Sequence, residues 1–533
     1  MYNNYTPLQQ RQLALQEYSN TQSTYLLVCA PARSTALKAT LTDQLHRKFR
    51  LVERLGGELT ASVDGVLLAA EDVELMSTAL MFFAKALQDG ADYAVCNAVF
   101  GFGGATALYQ SQPLQAQNRC AVVSRTLLER CRAAAHDPEN VPELLALAAQ
   151  LCTKPTLIPQ ALLHYERGIC AEDAFSAHGK RAFIMSHVLD MTGAPIVLVS
   201  AVPVLRSMGY EVLVLGPSDG GSLHLFLDAG ASVITRSSCR NVSDAWGMAL
   251  CADFVIVNTV VMARAVRALS GTAVPVLWWL HDAFAGYPHI AHQIPTQLGE
   301  NVRVYSVGSH AANAMHAVRP EFEIRPLIYG LPDYAAENFV RTDLGYNRGR
   351  PLFATVGSFE RRKGHDIFCK AIRLLPPEVR EKASFLFVGQ AADKEMMDSV
   401  RTLTADYPEN VYYCKRLTRD EIKSLMEQCT GLVCASRDDP MPTFVTEGLI
   451  FGKPSIVSEH TGTAGLISEG RNGFVYHNDD PQQLAVLLEH AIEHPEELAS
   501  MRTECRKMYE QYYSKEAFEQ TLRTAVEDLT AKK

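Results

Sequence analysis

The sequence predicts an α/β protein built from parallel sheets covered by helices. Three observations carry that prediction. From Thr24 onward, short apolar β-rich runs alternate with longer segments of helical period. At Thr192-Gly193-Ala194 and again at Gly357 to Gly364, such a run passes through a Gly-containing turn into an amphipathic segment. The length of 533 residues exceeds what one hydrophobic core holds, and at roughly 150 residues per domain it implies about three.

In the first domain the expected strands are Tyr25 to Ala30, Phe49 to Leu55, Val63 to Ala69 and Tyr93 to Val99, with helices at Ala36 to His46 and Val73 to Leu87. A second series runs through Ala182 to His187, Glu211 to Leu215, Ser232 to Arg236, Phe254 to Asn258, Val274 to Leu280 and Val302 to Val307. Tyr329 to Pro332 punctuates the chain, and the polar stretch to Arg350 reads as a linker. The third series holds Leu352 to Val356, Ser384 to Gly389, Val411 to Cys414, Gly431 to Ala435 and Ser455 to Ser458. From about Pro495 the chain is helical and highly charged, which places it on a surface. The expected domains are residues 1–175, 176–335 and 336–533.

Composition narrows the function. Hydrophobic residues make up 47% and charged residues 20%, an ordinary globular profile. A net charge of −9 without a Lys/Arg stripe excludes a nucleic-acid binder. Thirteen cysteines with no Cys-x-x-Cys pair argue against a disulfide framework or zinc knuckle, and a reducing cytoplasm is expected. The segment Met1 to Asn20 is polar and no run approaches ~18 apolar residues. Membrane contact is therefore expected to be at most peripheral, on the inner face.

Gly357-Ser-Phe-Glu-Arg-Arg-Lys-Gly364 puts backbone N–H groups and the positive end of a helix dipole at a strand end, with Arg361, Arg362 and Lys363 beside them. That suits a diphosphate, although a basic turn is also a common solvated surface. Farther on, Asp439 and Glu447 flank a helix start, with Thr443 and the amides of Phe444 and Val445 between them. Two carboxylates there can divide sugar and ribose hydroxyls while the amides meet phosphate. By themselves they read rather as a helix cap at Asp439 and a solvated or salt-bridged helix residue at Glu447.

Five segments in order, namely Val356 to Gly364, Phe385 to Gly389, Asp439 to Glu447, Gly452 to Ile456 and Gly470 to Phe474, resemble the retaining, nucleotide-sugar-dependent family 4 glycosyltransferases. The resemblance spans roughly residues 182–530. It implies a GT-B fold, in which two Rossmann-like domains face each other across a cleft. It further implies that Glu447 holds the donor ribose and Asp439 lies near the transferred sugar, where the family usually has Glu. Arg362 and Lys363 match the pair that embraces the diphosphate. Ser358 replaces the Arg that often follows the motif's first Gly. Gly193 matches a glycine loop that lets backbone approach the donor or acceptor, and His281 at a strand end matches a His near the reacting sugar.

Residues 24–170 resemble, more faintly, the GT-A-like family 2 glycosyltransferases. Val66 to Asp72 sits like that family's Asp-x-Asp strand end, and Pro155 to Arg167 like its closing strand. The metal pair is reduced, with Ala69 and Glu71 where two aspartates are expected, which implies a degenerate, catalytically silent module for assembly or acceptor docking.

The expected activity is metal-independent transfer from a nucleotide-sugar, UDP being the commonest in the family, to a glycan, lipid-linked or protein acceptor in surface polysaccharide or glycoconjugate synthesis. No cofactor is expected. Expected partners include a second copy or another glycosyltransferase docked through the N-terminal module. The alternatives are a nucleotide-sugar epimerase or phosphorylase on the same fold, and a non-catalytic subunit.

Overall fold

The computed structural model describes residues 23–531, apart from 31–33, 57–61, 71–72, 102–105, 111–118, 166–178, 238 and 241–243. The chain forms two compact units, divided between Val255 and Ile256.

The first unit holds β1 (Leu26–Cys29), β2 (Phe49–Val52), β3 (Gly65–Ala69), β4 (Glu74–Leu75), β5 (Tyr93–Gly101), β6 (Thr106–Gln110), β7 (Cys120–Ser124), β8 (Pro155–Tyr165), β9 (Lys180–Met185), β10 (Tyr210–Gly216) and β11 (Ser232–Arg236). Their order is β2-β1-β3-β7-β5-β6-β11-β10-β9, with β8 beside β5. Strands β1, β2 and β3 are parallel, as are β9, β10 and β11. Between these two sets, β6 pairs antiparallel with β11, Val233 opposite Tyr109. The first and second series thus share one sheet, which covers edges that would otherwise be open.

Two expected helices are shorter than their periodicity suggested. The first ends at Leu41 because the buried Gln44 side chain turns inward, donating to the Thr40 and Met76 carbonyls and accepting from the Leu80 amide. The second starts only at Ala79, since Glu74 and Leu75 pair as a strand with His164 and Leu163. Of the degenerate metal pair, Ala69 ends β3 fully buried, while Glu71 and Asp72 lie outside the described residues.

The unit boundary falls in β12 (Phe254–Asn258). The second unit continues with β13 (Val276–Leu280), β14 (Val302–Ser306) and β15 (Ile324–Pro326), all parallel. It then builds a separate six-stranded sheet from β16 (Leu352–Val356), β17 (Ser384–Val388), β18 (Val411–Cys414), β19 (Gly431–Cys434), β20 (Ser455–Ser458) and β21 (Gly473–Tyr476). The order is β18-β17-β16-β19-β20-β21, entirely parallel. Counted from β16 this is 3-2-1-4-5-6, the doubly wound arrangement whose crevice opens between the first and fourth strands.

The charged C-terminal helix Lys515–Thr530 is amphipathic rather than simply superficial. Its inner face buries Phe518, Leu522, Ala525, Val526 and Leu529, and the Phe518 ring stacks on Trp279 at 5.8 Å between centroids. Burying a Phe and several aliphatic side chains is worth roughly 1.5–3 kcal/mol for each large one, so this helix fastens the chain end to the β13 side of the unit.

Gly364 is the backbone hinge of the basic turn. Its φ is +64°, and a Cβ there would collide with the Ala435 carbonyl oxygen. Gly364→Ala should therefore cost about 2–5 kcal/mol from left-handed strain and overpacking together, read as a lower urea midpoint with an unchanged m-value.

Candidate functional site

The crevice of the six-stranded sheet is lined by the loops that leave β16 and β19. After β16, Arg361–Lys363 form a 3-10 turn that Gly364 closes before α1 (His365–Leu374). After β19, the segment Ser436 to Pro442 leads into α2 (Thr443–Ile450). Arg437 locks these together. Its amide donates to the Arg362 carbonyl at 2.7 Å, and its guanidinium donates to the Arg361 carbonyl at 2.8 Å and to both carboxylate oxygens of Asp366 at 2.8 and 2.9 Å. Burial would raise the Asp366 carboxyl, but the Arg437 bonds outweigh it and hold the group below the usual carboxylate range.

The structure pairs residues whose expected tasks differ. Lys363 Nζ lies 2.5 Å from Asp439 Oδ2, with the Asp439 side chain only 4% exposed. Arg362 is exposed and pairs with Glu360 at 2.8 Å. Glu447, on α2, pairs at 2.6 Å with Arg419, whose guanidinium also lies 4.2 Å from the Tyr334 ring centroid. Thr443 is exposed at the helix start, while Phe444 and Val445 are buried. The Val445 amide donates to the Pro442 carbonyl at 3.1 Å, so in this conformation that amide is taken by the chain itself.

His281 is half-buried just past β13, its ring 4.6 Å from that of Trp279. Neighbouring Asp282 accepts from the Val260 amide at 2.6 Å. That amide follows Thr259, a buried β-branched residue at φ +68°, a conformation costing about 1–3 kcal/mol. Strain at a strand's carboxyl end beside an acidic group is typical of a working site rather than of a scaffold. Gly193, in the first unit, opens the helix Gly193–Ser207. A Cβ there would meet no atom within 4 Å, so the chain itself does not demand glycine.

Sequence reasoning passed over Arg437, Asp438, Arg419 and His310. The first two sit inside a motif whose spacing draws attention to Asp439. Arg419 and His310 have no local signal, since each meets its partner across a long stretch of chain.

Comparison with known proteins agrees with this architecture. The sequence model for "Glycosyl-transferase family 4" matches residues 178–321, and that for "Glycosyl transferases group 1" matches residues 337–508. The two matched segments are glycosyltransferase domains. An uncharacterized glycosyltransferase of Methanocaldococcus jannaschii is 26% identical over 197 residues, covering 36% of this chain and 53% of that protein. Spore coat protein SA of Bacillus subtilis is 27% identical over 160 residues, 28% of this chain and 41% of that protein. The chain thus spans about half the length of these curated relatives. Anabaena HepE (Alr3699), solved with UDP, superposes with a TM-score of 0.55 at 17% identity, over 66% of this chain and all of HepE. Its UDP-glucose complex gives 0.53 at 15% identity over the same shares. At these identities the likeness establishes the fold, which is GT-B. The N-terminal family 2 resemblance has no counterpart in these matches.

Burial pushes the Asp282 carboxyl up to about 6, against the lowering effect of hydrogen bonds from the Val260 and His281 amides. A carboxyl raised above its unfolded value of 3.8 contributes its stability fully below that value and loses it as pH rises through about 6. Asp282→Asn, which keeps an acceptor for the Val260 amide, should therefore stabilise the protein more at pH 8 than at pH 4. The expected difference is about 2–3 kcal/mol at most, and urea unfolding at the two pH values measures it.

Proposed function

We propose that the protein is a retaining glycosyltransferase that moves a sugar from a UDP-sugar to a glycan, lipid-linked or protein-linked acceptor during surface polysaccharide or glycoconjugate assembly. The observation that carries this reading is the direct contact of Lys363, on the turn after β16, with Asp439, on the segment after β19 that leads into the helix bearing Glu447. The choice of uridine nucleotide is supported by the HepE complexes with UDP and UDP-glucose.

The roles follow from charge. Cleaving the bond between sugar C1 and the diphosphate oxygen develops positive charge on the sugar ring and negative charge on the leaving phosphate. Lys363 and Arg362 stabilise the phosphate, a contribution that is commonly the largest in such catalysis. As the diphosphate takes over the Lys363 ammonium, Asp439 turns to the sugar hydroxyls. Glu447 takes the ribose hydroxyls, and the start of α2 with Thr443 and Phe444 faces the phosphates. In a front-face displacement the leaving phosphate accepts the acceptor's proton, while His281 orients the reacting sugar. Gly193 lets backbone approach the donor phosphate or the acceptor. The cations stand in for a metal, so transfer should persist undiminished in excess EDTA.

In the same reading, residues 176–335 and 336–533 form the catalytic pair, and residues 1–175 serve assembly or acceptor docking with a second copy or a partner transferase. The protein works on the cytoplasmic side, with peripheral membrane contact at most.

A thermal-shift panel of UDP-, GDP- and ADP-sugars identifies the donor, since a ligand selective for the folded state raises its melting temperature. Lys363→Ala and Glu447→Ala should each lower sugar transfer by roughly 100-fold or more while the fold survives. Wild-type transfer in both variants rejects the assignment, and an epimerised or phosphorolysed sugar without glycan product would point to another reaction on this fold.

A further inference from the structure

Asp438 has no role in the proposed transfer, yet it is among the most fully bonded carboxylates of the second unit. Its Oδ1 accepts from His310 Nε2 at 2.7 Å and from the Phe284 amide at 3.1 Å, and its Oδ2 accepts from the Ala285 amide at 2.9 Å. A carboxylate can only accept here, so His310 carries its proton on Nε2. The side chains of His310 and Asp438 are 6% and 14% exposed. Burial would raise the Asp438 carboxyl, but the bonds from His310 and the two amides outweigh it and hold the group below its ordinary value.

The covalent neighbours on each side give this contact its meaning. Asp438 directly precedes Asp439, whose amide donates to the His460 carbonyl at 3.1 Å and whose carbonyl accepts from the Gly462 amide at 2.9 Å. The acidic segment is thereby held rigidly on the donor sheet. Phe284 and Ala285 open a 3-10 turn only three residues beyond His281, and His310 belongs to the helix after β14. Both of these lie on the β13–β14 side of the unit. A simple surface acid would cap one turn, whereas this one binds two separate elements of the opposite half.

We propose that Asp438 is a positioning residue, tying the segment that carries His281 to the segment that carries Asp439 so that both meet the donor sugar together. This rests on the glycosyltransferase reading. The expected cost of losing it is kinetic, because a displacement of about 1 Å at a reacting group can cost on the order of 100-fold.

The test uses the full chain and four measurements: UDP affinity by calorimetry, amide exchange over residues 281–293, and kcat and KM for release of the nucleoside diphosphate from whichever of the UDP-, GDP- and ADP-sugars the wild type cleaves. Asp438→Asn places an NH2 or a single oxygen against three donors and should behave as a loss. It should speed exchange at 284–286 at least tenfold, lower kcat by roughly 30- to 100-fold, and leave UDP affinity and donor KM within threefold. His310→Phe should do the same, while His310→Gln, which keeps a donor, should recover most of kcat. If Asp438→Asn does not fold, the two His310 variants make the same comparison. A kcat within threefold of wild type, unchanged exchange at 284–286, or a loss confined to UDP affinity overturns the proposal alone. A wild-type chain that binds UDP but releases no nucleoside diphosphate from any of these nucleotide-sugars overturns it together with the transferase reading.

Discussion

The crevice of the six-stranded sheet depends on one guanidinium. Arg437 gathers Asp366, Asp479 and the Arg361 carbonyl around a largely buried side chain. A parallel sheet whose strand order reverses between β16 and β19 leaves two loops diverging at the switch point, and nothing in the sheet hydrogen bonds fixes their spacing. The planar fork of an arginine satisfies both loops at defined angles, which a lysine could not do. With that spacing set, Lys363 reaches Asp439, and α2 starts where its first turn faces the basic turn.

The second constraint is that charges around the crevice are already compensated. Lys363 pairs with Asp439, Arg362 with Glu360, and Glu447 with Arg419. A partly buried ion left unpaired would cost several kcal/mol, so a site built from mutual partners is stable as it stands. An anionic, hydroxyl-rich ligand would bind here by exchanging partners rather than by desolvating bare charges. The same logic explains why the cations and carboxylates appear together: each group that would serve a diphosphate or sugar needs an internal counterpart.

In the first unit, tertiary pairing overrode local signals. The helical period from Val73 was real, but Glu74 and Leu75 gained more from a ladder with β8 than from an early helical turn. Likewise β6 joins β11, giving a single sheet where two sequence series looked self-contained. Strand partners so far apart leave no mark on either strand, because periodicity records which face is buried and not against what.

What the sequence determined by itself was local: the strands of both Rossmann-like series to within a few residues, apart from the last of each, β15 and β21, the basic turn after β16, and the acidic pair around α2. These rest on apolar period, glycine conformation and the spacing of charged residues, all properties of contiguous chain. Only the tertiary structure decided the partners, such as Lys363 with Asp439, Arg419 with Glu447, and Asp438 with His310 and the amides beyond His281. The physical reason is distance along the chain. Ion pairs and hydrogen bonds act over about 3 Å, and the groups that make them here stand from 28 to 154 positions apart, so their meeting is a property of the fold alone.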